Sequence, residues 1–198
     1  QGISSSLLYN MANAYYHMKD VGNAVLYYER ALYLAPGNED IQANLHMARK
    51  DFGLVERESG KWERYFHFFN LNGWTWIASG ALTVFSLIFL LRGMSQGARR
   101  NRLVKAMFVV VLCLFVVSGT GVVLQYEKMD CGIVTAQGAS LLVSPFDTAS
   151  KSGAIKDGKM VKIEKTYKDY LLVEETTGET GWIAKKVVET VVPGGDLG

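Results

Sequence analysis

The sequence predicts a multidomain membrane protein with an all-α N-terminal region, a transmembrane hairpin of two helices and a small all-β C-terminal barrel. Three observations predict this order. Apolar residues first recur at helical spacing, two long uncharged runs follow, and short apolar runs then alternate with turn residues. The chain has 198 residues and a formal net charge of +2, and its excess of Lys and Arg lies between the two apolar runs. This distribution is not typical of a nucleic-acid-binding protein.

The N-terminal pattern is a helical unit of 34 residues that starts at Ser5 and ends at Asn38. Small residues predict where two antiparallel helices cross closely, and Pro36 ends the second helix. This pattern strongly resembles a tetratricopeptide repeat. Its apolar and small positions are Leu8, Met11, Ala12, Tyr15, Ala24, Tyr28, Ala31 and Leu32.

A third helix is predicted to begin at Asn38, which is a suitable N-cap residue. The second helix of a further repeat does not follow, so the repeat region at residues 1–56 holds only one and a half repeats. Such a stack is shorter than the three or so repeats that bury a continuous core. We expect either earlier repeats or another protein to complete it.

The resemblance also implies a binding face. The inner face of the first helix of a tetratricopeptide repeat usually carries peptide recognition, which here places partner binding at Tyr9, Asn13 and Tyr16, with Asn44 on the next helix. The alternative is that these are ordinary, partly exposed surface residues.

Two apolar segments are predicted to cross a membrane as helices, residues 73–92 and residues 103–126. Uncharged runs of 27 and 21 residues, at 65–91 and 106–126, cover most of these two segments. At ~1.5 Å rise per residue, about 20 residues match the ~30 Å hydrocarbon core of a bilayer. A chain of this length cannot bury two helices that are apolar on every side. Small residues at Gly80 and Gly119 are expected to permit close packing between membrane helices.

The loop at residues 93–102 predicts the topology. It holds three of the four Arg residues between the apolar segments, and Arg92 directly precedes it. By the positive-inside rule we expect this loop in the cytoplasm and both flanking modules in the periplasm, with the hairpin in the bacterial inner membrane. An exported N-terminus needs an export signal, which we expect to be removed or to lie outside this sequence.

Residues 57–72 mix aromatic and charged side chains directly before the first membrane segment. They are predicted to form an amphipathic segment in the headgroup region, with Trp62, Trp74 and Trp76 as interfacial anchors. Stacking of single-stranded nucleic acid is the alternative. The adjacent membrane segment argues against it, so no nucleic-acid partner is predicted.

Residues 130–192 change to short apolar runs separated by Gly-, Asp- and Lys-rich turns, which predicts a small barrel. Residues 142–145, then Gly158, then residues 181–183 are similar to bacterial SH3-like domains. Trp182 is expected in the core or at the rim of this barrel. Bacterial SH3-like modules of the cell envelope often resemble wall-binding domains, but fold alone does not fix function.

No enzymatic motif is present in the sequence. It has no P-loop, no G-x-S-x-G elbow, no H-E-x-x-H pair and no dinucleotide fingerprint. Its two cysteines and three histidines are not at metal-ligand spacing. We therefore expect a protein that is not an enzyme and that binds neither a cofactor nor a metal.

The order of these parts resembles the BatE family, the tetratricopeptide-repeat and SH3-like membrane proteins of the bacterial Bat (aerotolerance) operon. The resemblance rests on the repeat running into residues 38–50, on the hairpin and on the terminal barrel. It implies a non-enzymatic scaffold or adaptor in an inner-membrane Bat complex for envelope or oxidative stress tolerance. The implied partners are von Willebrand A domain proteins, BatD and a MoxR-type AAA+ ATPase. The alternative function is an envelope sensor that binds peptidoglycan through its SH3-like domain.

Overall fold

The chain divides into two units in the computed structural model, which describes residues 3–54, 71–94, 101–127 and 130–192. The first unit combines three N-terminal helices with a C-terminal sheet, and the second contains the two apolar helices. The predicted interfacial segment lies outside the described residues except for its last two positions, and residues 95–100 of the Arg-rich loop lie outside them as well.

The N-terminal helices are α1 (Ser5–His17), α2 (Val21–Leu34) and α3 (Glu39–Asp51). Each begins at a polar side chain that accepts a hydrogen bond from a backbone N–H of the first turn. The acceptors are Ser4, Asp20 and Asn38. Such caps satisfy amides that have no partner inside the helix. The predicted N-cap at Asn38 is therefore confirmed.

The helices pack through small residues, as the sequence predicts. Ala12, Ala24 and Ala31 are fully buried where α1 and α2 cross, and Leu45 and Ala48 bury the inner face of α3. The absence of side-chain volume at the alanines lets the helix axes approach closely. This local packing accounts for the predicted helical pair.

The C-terminal sheet contains seven antiparallel strands in the order β3-β2-β6-β5-β4-β1-β7. Its register shifts between Ile163 and Lys165 in β4, which bends the sheet around its own buried residues. A short 3-10 helix, Lys185–Val187, precedes the last strand. The strands are β1 (Cys131–Val134), β2 (Ser140–Leu142), β3 (Lys151–Ala154), β4 (Met160–Tyr167), β5 (Tyr170–Glu175), β6 (Thr180–Ala184) and β7 (Val188–Thr190).

The sheet packs directly against the helices. Ile133 of β1 and Val191, just after β7, belong to the same buried cluster as Leu26 and Ile41 of the helices. At the edge strand β7, the Arg30 guanidinium donates two hydrogen bonds to the backbone oxygen of Thr190, at 3.1 and 2.8 Å. The chain's own sheet thus completes the helical core on this side. The expectation that earlier repeats or another protein complete the repeat stack stays a prediction.

A second set of contacts joins the sheet to the end of α3. Gly158, in the left-handed region at φ 81°, leaves room for Leu54 and Val21, because a Cβ there would lie 2.7 and 2.9 Å from their methyl carbons. The ammonium group of Lys156 donates to the backbone oxygen of Phe52 at the C-terminus of α3. A cation at this position also suits the negative end of the helix dipole.

The second unit consists of α4 (Leu71–Met94) and α5 (Arg102–Glu127). Both helices are long and apolar enough to cross a membrane. They contact each other through the rings of Phe85 and Phe108, with centroids 4.7 Å apart, and through the indole of Trp74, which covers Gly121. Most of their large apolar side chains remain exposed.

Candidate partner-binding face

The four residues predicted to bind a partner lie on one face of the repeat. Tyr9, Asn13 and Tyr16 share a face of α1 because they are spaced by four and three residues. Asn44 of α3 reaches the same place, where its amide nitrogen donates to the hydroxyl of Tyr9. All four side chains are half-buried. We call these four residues the partner-binding face, after the role that the sequence predicts for them.

Tyr28 of α2 holds this face together from beneath. Its hydroxyl donates to Oδ1 of Asn13 at 2.5 Å, and its ring lies 6.1 Å from that of Tyr9. Burial, followed by the nearby phenols of Tyr9 and Tyr16, raises the pKa of Tyr28 to about 12. The phenol therefore stays protonated and remains a hydrogen-bond donor. The repeat pattern predicts a packing role for Tyr28 and carries no signal for this second role.

The network fixes the orientation of both amides. The Tyr28 phenol donates a hydrogen bond to the oxygen of Asn13, and the hydroxyl of Tyr9 accepts one from the nitrogen of Asn44. Within the described part of the chain, Nδ2 of Asn13 and Oδ1 of Asn44 make no hydrogen bond. The face thus presents the N–H groups of Asn13 and the oxygen of Asn44, which have no partner among the described residues. A peptide backbone, with one N–H and one C=O per residue, can satisfy both.

Tyr16 forms the far end of the face. Its hydroxyl donates to a carboxylate oxygen of Asp51 at 2.5 Å, and its ring packs against Phe52. The hydrogen bond to Asp51 raises the pKa of the Tyr16 phenol. Helix α1 contains no Lys, Arg, Asp or Glu, so Asp51 is the charged residue in direct contact with the face. The face is therefore neutral to acidic.

An ion pair fixes the position of α3, and with it that of Asn44. Glu29 of α2 and Arg49 of α3 are both nearly buried, with oxygen and nitrogen 2.6 Å apart. Removing one partner of such a pair leaves an uncompensated buried charge. This contact therefore holds α3 beside α2 and keeps Asn44 within reach of Tyr9.

A second exposed surface lies on the sheet, where three aromatic rings form an edge-to-face row. The centroids of Phe146 and Tyr167 are 6.5 Å apart, and those of Tyr167 and Trp182 are 6.4 Å apart. Phe146 is 54% exposed and Tyr167 is 40% exposed, whereas Trp182 is half-buried. We call these three residues the aromatic row. The sequence predicts Trp182 at the core or rim, and its local pattern carries no signal for the two exposed rings beside it.

The loop that carries Phe146 is tied to the sheet. The hydroxyl of Tyr170 donates to the carboxylate of Asp147, and this hydrogen bond raises the pKa of the Tyr170 phenol. Lys168 places its ammonium group 5.6 Å from the centre of the Tyr167 ring. The aromatic row is thus held in place by a neighbouring hydrogen bond and a cation–π contact.

The residues predicted to act in the membrane have different surroundings. A Cβ added at Gly80 or Gly119 would meet no atom within 4 Å among the described residues, so neither glycine lies in the contact between α4 and α5. Gly121 lies in the contact between α4 and α5 instead, against the indole of Trp74. Trp74 is 8% exposed and packs inside the hairpin, whereas Trp76 is 79% exposed. Trp62 lies outside the described residues.

The described residues contain no group of three or more His, Cys, Asp or Glu side chains that could hold a metal ion. Cys113 and Cys131 form no disulfide with each other. The chemistry available on the partner-binding face and the aromatic row is hydrogen bonding and aromatic packing, which serve binding.

Comparison with known protein families identifies one region. The family model of the tetratricopeptide repeat matches residues 5–38, which include α1, α2 and the turn that follows them. The chain therefore contains a tetratricopeptide repeat, as the sequence pattern predicts. No curated protein and no solved structure matches the chain.

Proposed function

We propose that this tetratricopeptide-repeat protein is a non-enzymatic adaptor that is anchored in a bacterial inner membrane and binds a partner protein at its partner-binding face. The observation that carries the proposal is the open donor of Asn13 beside the open acceptor of Asn44. Amide atoms that have no protein partner on a half-buried face can hydrogen-bond to a ligand. Repeats of this family generally act in protein–protein interaction.

The chemistry of the face favours an extended peptide segment as its ligand. A backbone N–H and C=O can pair with Oδ1 of Asn44 and Nδ2 of Asn13, while the rings of Tyr9 and Tyr16 pack against side chains. The acidic end at Asp51 and the absence of cations on α1 disfavour a peptide carboxylate. We therefore assign the face to a neutral or basic segment of the partner.

Membrane anchoring is supported by the second unit. Helices α4 and α5 expose apolar side chains along most of their length, which suits a lipid bilayer. The helices of the first unit and its sheet pack into one core, although α4 and α5 separate them in sequence. Both parts must then lie on the same side of the bilayer, so the chain crosses it an even number of times. Four Arg residues between the spans favour a cytoplasmic loop and periplasmic modules.

The bent antiparallel sheet supports an SH3-like assignment for the C-terminal module. With the repeat and the hairpin, this order suits a scaffold subunit of a Bat complex in envelope or oxidative stress tolerance. Its partners would be von Willebrand A domain proteins, BatD and a MoxR-type AAA+ ATPase. The described residues carry no feature that calls for a nucleic acid or a cofactor.

The experiment is affinity capture from detergent-solubilised membranes, with mass spectrometry of the captured proteins. The sharpest variant is Asn13→Asp, which keeps an acceptor for the Tyr28 phenol and replaces the free donor with a second acceptor. We expect it to reduce partner capture at least tenfold, because a lost hydrogen bond plus a repelled carbonyl oxygen amounts to about 1.5–3 kcal/mol. The triple variant with Ala at Tyr9, Asn13 and Tyr16 should abolish capture.

The matched control is His46→Asp, which places a carboxylate on the exposed side of α3, away from the face. It should capture partners as the wild type does. Equal capture by the wild type, Asn13→Asp and the triple variant, all folded and membrane-inserted, would exclude the partner-binding face.

The aromatic row favours a second candidate function, an envelope sensor whose sheet module binds peptidoglycan. Exposed aromatic rings held in a fixed row are uncommon on surfaces that bind nothing. Sedimentation of the full chain in detergent with purified cell-wall sacculi tests this function. Lower retention of Phe146→Ala and Tyr167→Ala than of the wild type would support the sensor function. Val143→Ala is the control and should be retained as the wild type is. If the wild-type chain is not retained, the sensor function is excluded and the adaptor function remains.

A further inference from the structure

A row of five side chains crosses the outer face of the sheet, where the strands β4, β5, β6, β2 and β3 lie side by side. In an antiparallel sheet, residues directly opposite each other point to the same face. Leu172 of β5 lies opposite Trp182 of β6, and Trp182 lies opposite Leu142 of β2. Lys165 of β4 pairs with Leu172 at one end, and Lys151 of β3 pairs with Leu142 at the other. We call these five residues the cross-strand row.

The cross-strand row has an apolar centre and a cation at each end. Trp182 and the two leucines are half-buried, whereas Lys165 and Lys151 are exposed. Leu171 and Ile183, the neighbours of this centre along β5 and β6, are buried in the core of the sheet. Successive side chains of a strand point to opposite faces, so the row lies on the outer face.

The two charges of the row are available to a ligand. Neither of its ammonium groups makes an ion pair with another described residue. Glu164, next to the row in β4, is paired with Lys162 at 2.7 Å instead. Asp147 and Asp169 lie beside Tyr170, two positions along β5 from the row, and Asp147 accepts the hydrogen bond of its phenol. The row itself therefore favours a ligand with negative charges.

We infer that the cross-strand row binds an extended acidic segment of a partner protein, with one acidic side chain at each lysine and apolar side chains over the indole. Five neighbouring strands are separated by four spacings of about 4.8 Å, so the lysines lie roughly 19 Å apart along the sheet. An extended chain advances about 3.3 Å per residue, so two acids about six residues apart match this separation. Side chains at even spacing share one side of an extended chain, so both acids and the apolar residues between them can face the row together.

The chemistry of the row favours a peptide over a glycan strand. Between its lysines the row presents two hydrocarbon side chains and one indole, so the hydroxyl and amide groups of a sugar would lose water without gaining hydrogen bonds to these leucines. Apolar peptide side chains gain free energy when they are buried there. The ring of Tyr167, with its centroid 6.4 Å from that of Trp182, borders this centre on one side.

This inference goes beyond the proposed adaptor function, because it concerns the sheet and not the helical repeat. The partner-binding face on α1 and α3 favours a neutral or basic segment, whereas the cross-strand row favours an acidic one. The two surfaces thus select segments of opposite charge, so one chain can bind two different partner segments without competition.

Fluorescence anisotropy of the full chain in non-ionic detergent tests the row. The probe is a labelled, capped peptide of seven residues with Glu at its first and last positions, Leu at its third and fifth, and Ser elsewhere. A peptide with Lys in place of both Glu residues is the matched control. The chain should bind the Glu peptide at least tenfold more tightly than the Lys peptide, and added salt should weaken this binding.

Reversing both charges of the row should reverse the preference between the peptides. The chain with Lys151→Glu and Lys165→Glu should bind the Lys peptide more tightly than the Glu peptide. Both positions are exposed, so the sheet should remain folded. The control chain carries Lys19→Glu and Lys50→Glu, two exposed positions of the helical region, and undergoes the same change in net charge. It should keep the wild-type preference.

Three results would overturn the inference: no binding of the Glu peptide to the wild-type chain, an equal loss of binding in the row variant and the control chain, or retention on purified cell-wall sacculi that falls only in the row variant. The last result would make the wall the ligand of the row. Asn13→Asp should leave binding of the Glu peptide unchanged, so this inference and the adaptor function fail separately.

Discussion

Gly22 of α2 lies directly against the backbone of Thr135, so that a Cβ added at Gly22 would stand 2.6 Å from the Thr135 Cα. Two segments that are far apart in sequence therefore meet backbone to backbone, with no side chain between them. Only glycine permits this approach inside a helix. The position fixes how closely the helical repeat and the sheet pack together.

Gly22→Ala should weaken the joint between the repeat and the sheet. The added methyl group must displace backbone atoms of Thr135, which overpacks the contact by about 1–3 kcal/mol. Hydrogen–deuterium exchange of the full chain should show faster exchange in α2 and β1 together. Gly153→Ala is the control, because its methyl group would meet only the mobile carboxylate of Glu179. Unchanged exchange in both elements would contradict the close backbone contact.

Arg30→Ala should expose the edge of β7. The guanidinium donates two hydrogen bonds to the backbone oxygen of Thr190 and contacts Glu189 at 2.9 Å. Losing these charge-assisted bonds destabilises the joint by about 1.5–3 kcal/mol. The measurement is amide exchange in residues 188–192. Glu189→Gln should have a much smaller effect, because exposed ion pairs contribute little. A larger effect of Glu189→Gln than of Arg30→Ala would show that the ion pair, not the edge contact, matters.

How much of this arrangement was predictable depends on sequence distance. The helical pair follows from local spacing, because Ala12, Ala24 and Pro36 belong to one 34-residue pattern, and the family match confirms it. The partner-binding face follows from the same pattern, since residues spaced by three and four share a helix face. Local periodicity is sufficient for both.

The joint between the modules could not be predicted in this way. Gly22 lies in the first turn of α2 and is buried, although nothing local in the sequence indicates what covers it. Ile133 and Val191 lie in the region predicted to form the barrel, yet they share a buried cluster with the helices. An apolar residue does not specify which distant surface buries it, so a single sequence leaves this pairing open. The role of Tyr28 in orienting Asn13 is hidden for the same reason.

The membrane topology follows from the packing of the repeat against the sheet. Because the repeat and the sheet form one unit, positions 46 and 150 should be accessible from the same side of the membrane, and position 97 from the other. Single-cysteine variants at these positions, labelled in intact spheroplasts with an impermeant reagent, provide the measurement. The predicted orientation requires labelling of His46→Cys and Ser150→Cys, and protection of Gly97→Cys. Labelling at 97 but not at 150 would reverse the orientation, and opposite results at 46 and 150 would contradict the single unit.

The pH dependence of stability should report on Tyr28. Its pKa is raised from 10.0 to about 12 in the folded state, so the unfolded chain loses this proton first as the pH rises. The contribution of Tyr28 is therefore complete below about pH 10 and is lost as the pH approaches 12. Tyr28→Phe should lower stability at neutral pH by about 1 kcal/mol, through the lost hydrogen bond to Asn13, and should make stability flatter above pH 10.

The direct measurement for Tyr28 is a phenolate absorbance titration of the full chain. Tyr28→Phe should remove a phenol that titrates near pH 12. Tyr33→Phe is the control, because its hydroxyl has no hydrogen-bond partner among the described residues. If the phenol lost from Tyr28→Phe titrates near 10, the buried network around Asn13 is absent in solution.

Two glycines that lie two positions apart in α5 should respond differently to the same substitution. A Cβ at Gly121 would stand 2.5 Å from the Trp74 ring, whereas a Cβ at Gly119 would meet nothing within 4 Å in the described part of the chain. Gly121→Ala should therefore push the indole out and loosen the hairpin, and Gly119→Ala should leave the hairpin unchanged. The measurement is the rate of disulfide formation between Phe85→Cys and Phe108→Cys, placed at the ring contact in a Cys113→Ser background. Adding Gly121→Ala should slow this rate, whereas adding Gly119→Ala should not.

Gly119 and Gly80 remain predicted contacts for other membrane helices, because Gly80 is exposed, Gly119 is half-buried, and a Cβ at either would meet no atom within 4 Å among the described residues. Small residues allow the backbones of neighbouring helices to approach closely in lipid, so a bulky substitution keeps a partner helix away. Gly119→Leu and Gly80→Leu should thus lower capture of membrane partners while the Phe85–Phe108 cross-link forms at the wild-type rate. Reduced capture together with a slower cross-link would show that the substitutions act by distorting the hairpin. Unchanged capture in both variants would exclude these glycines as partner contacts and leave partner binding to the repeat.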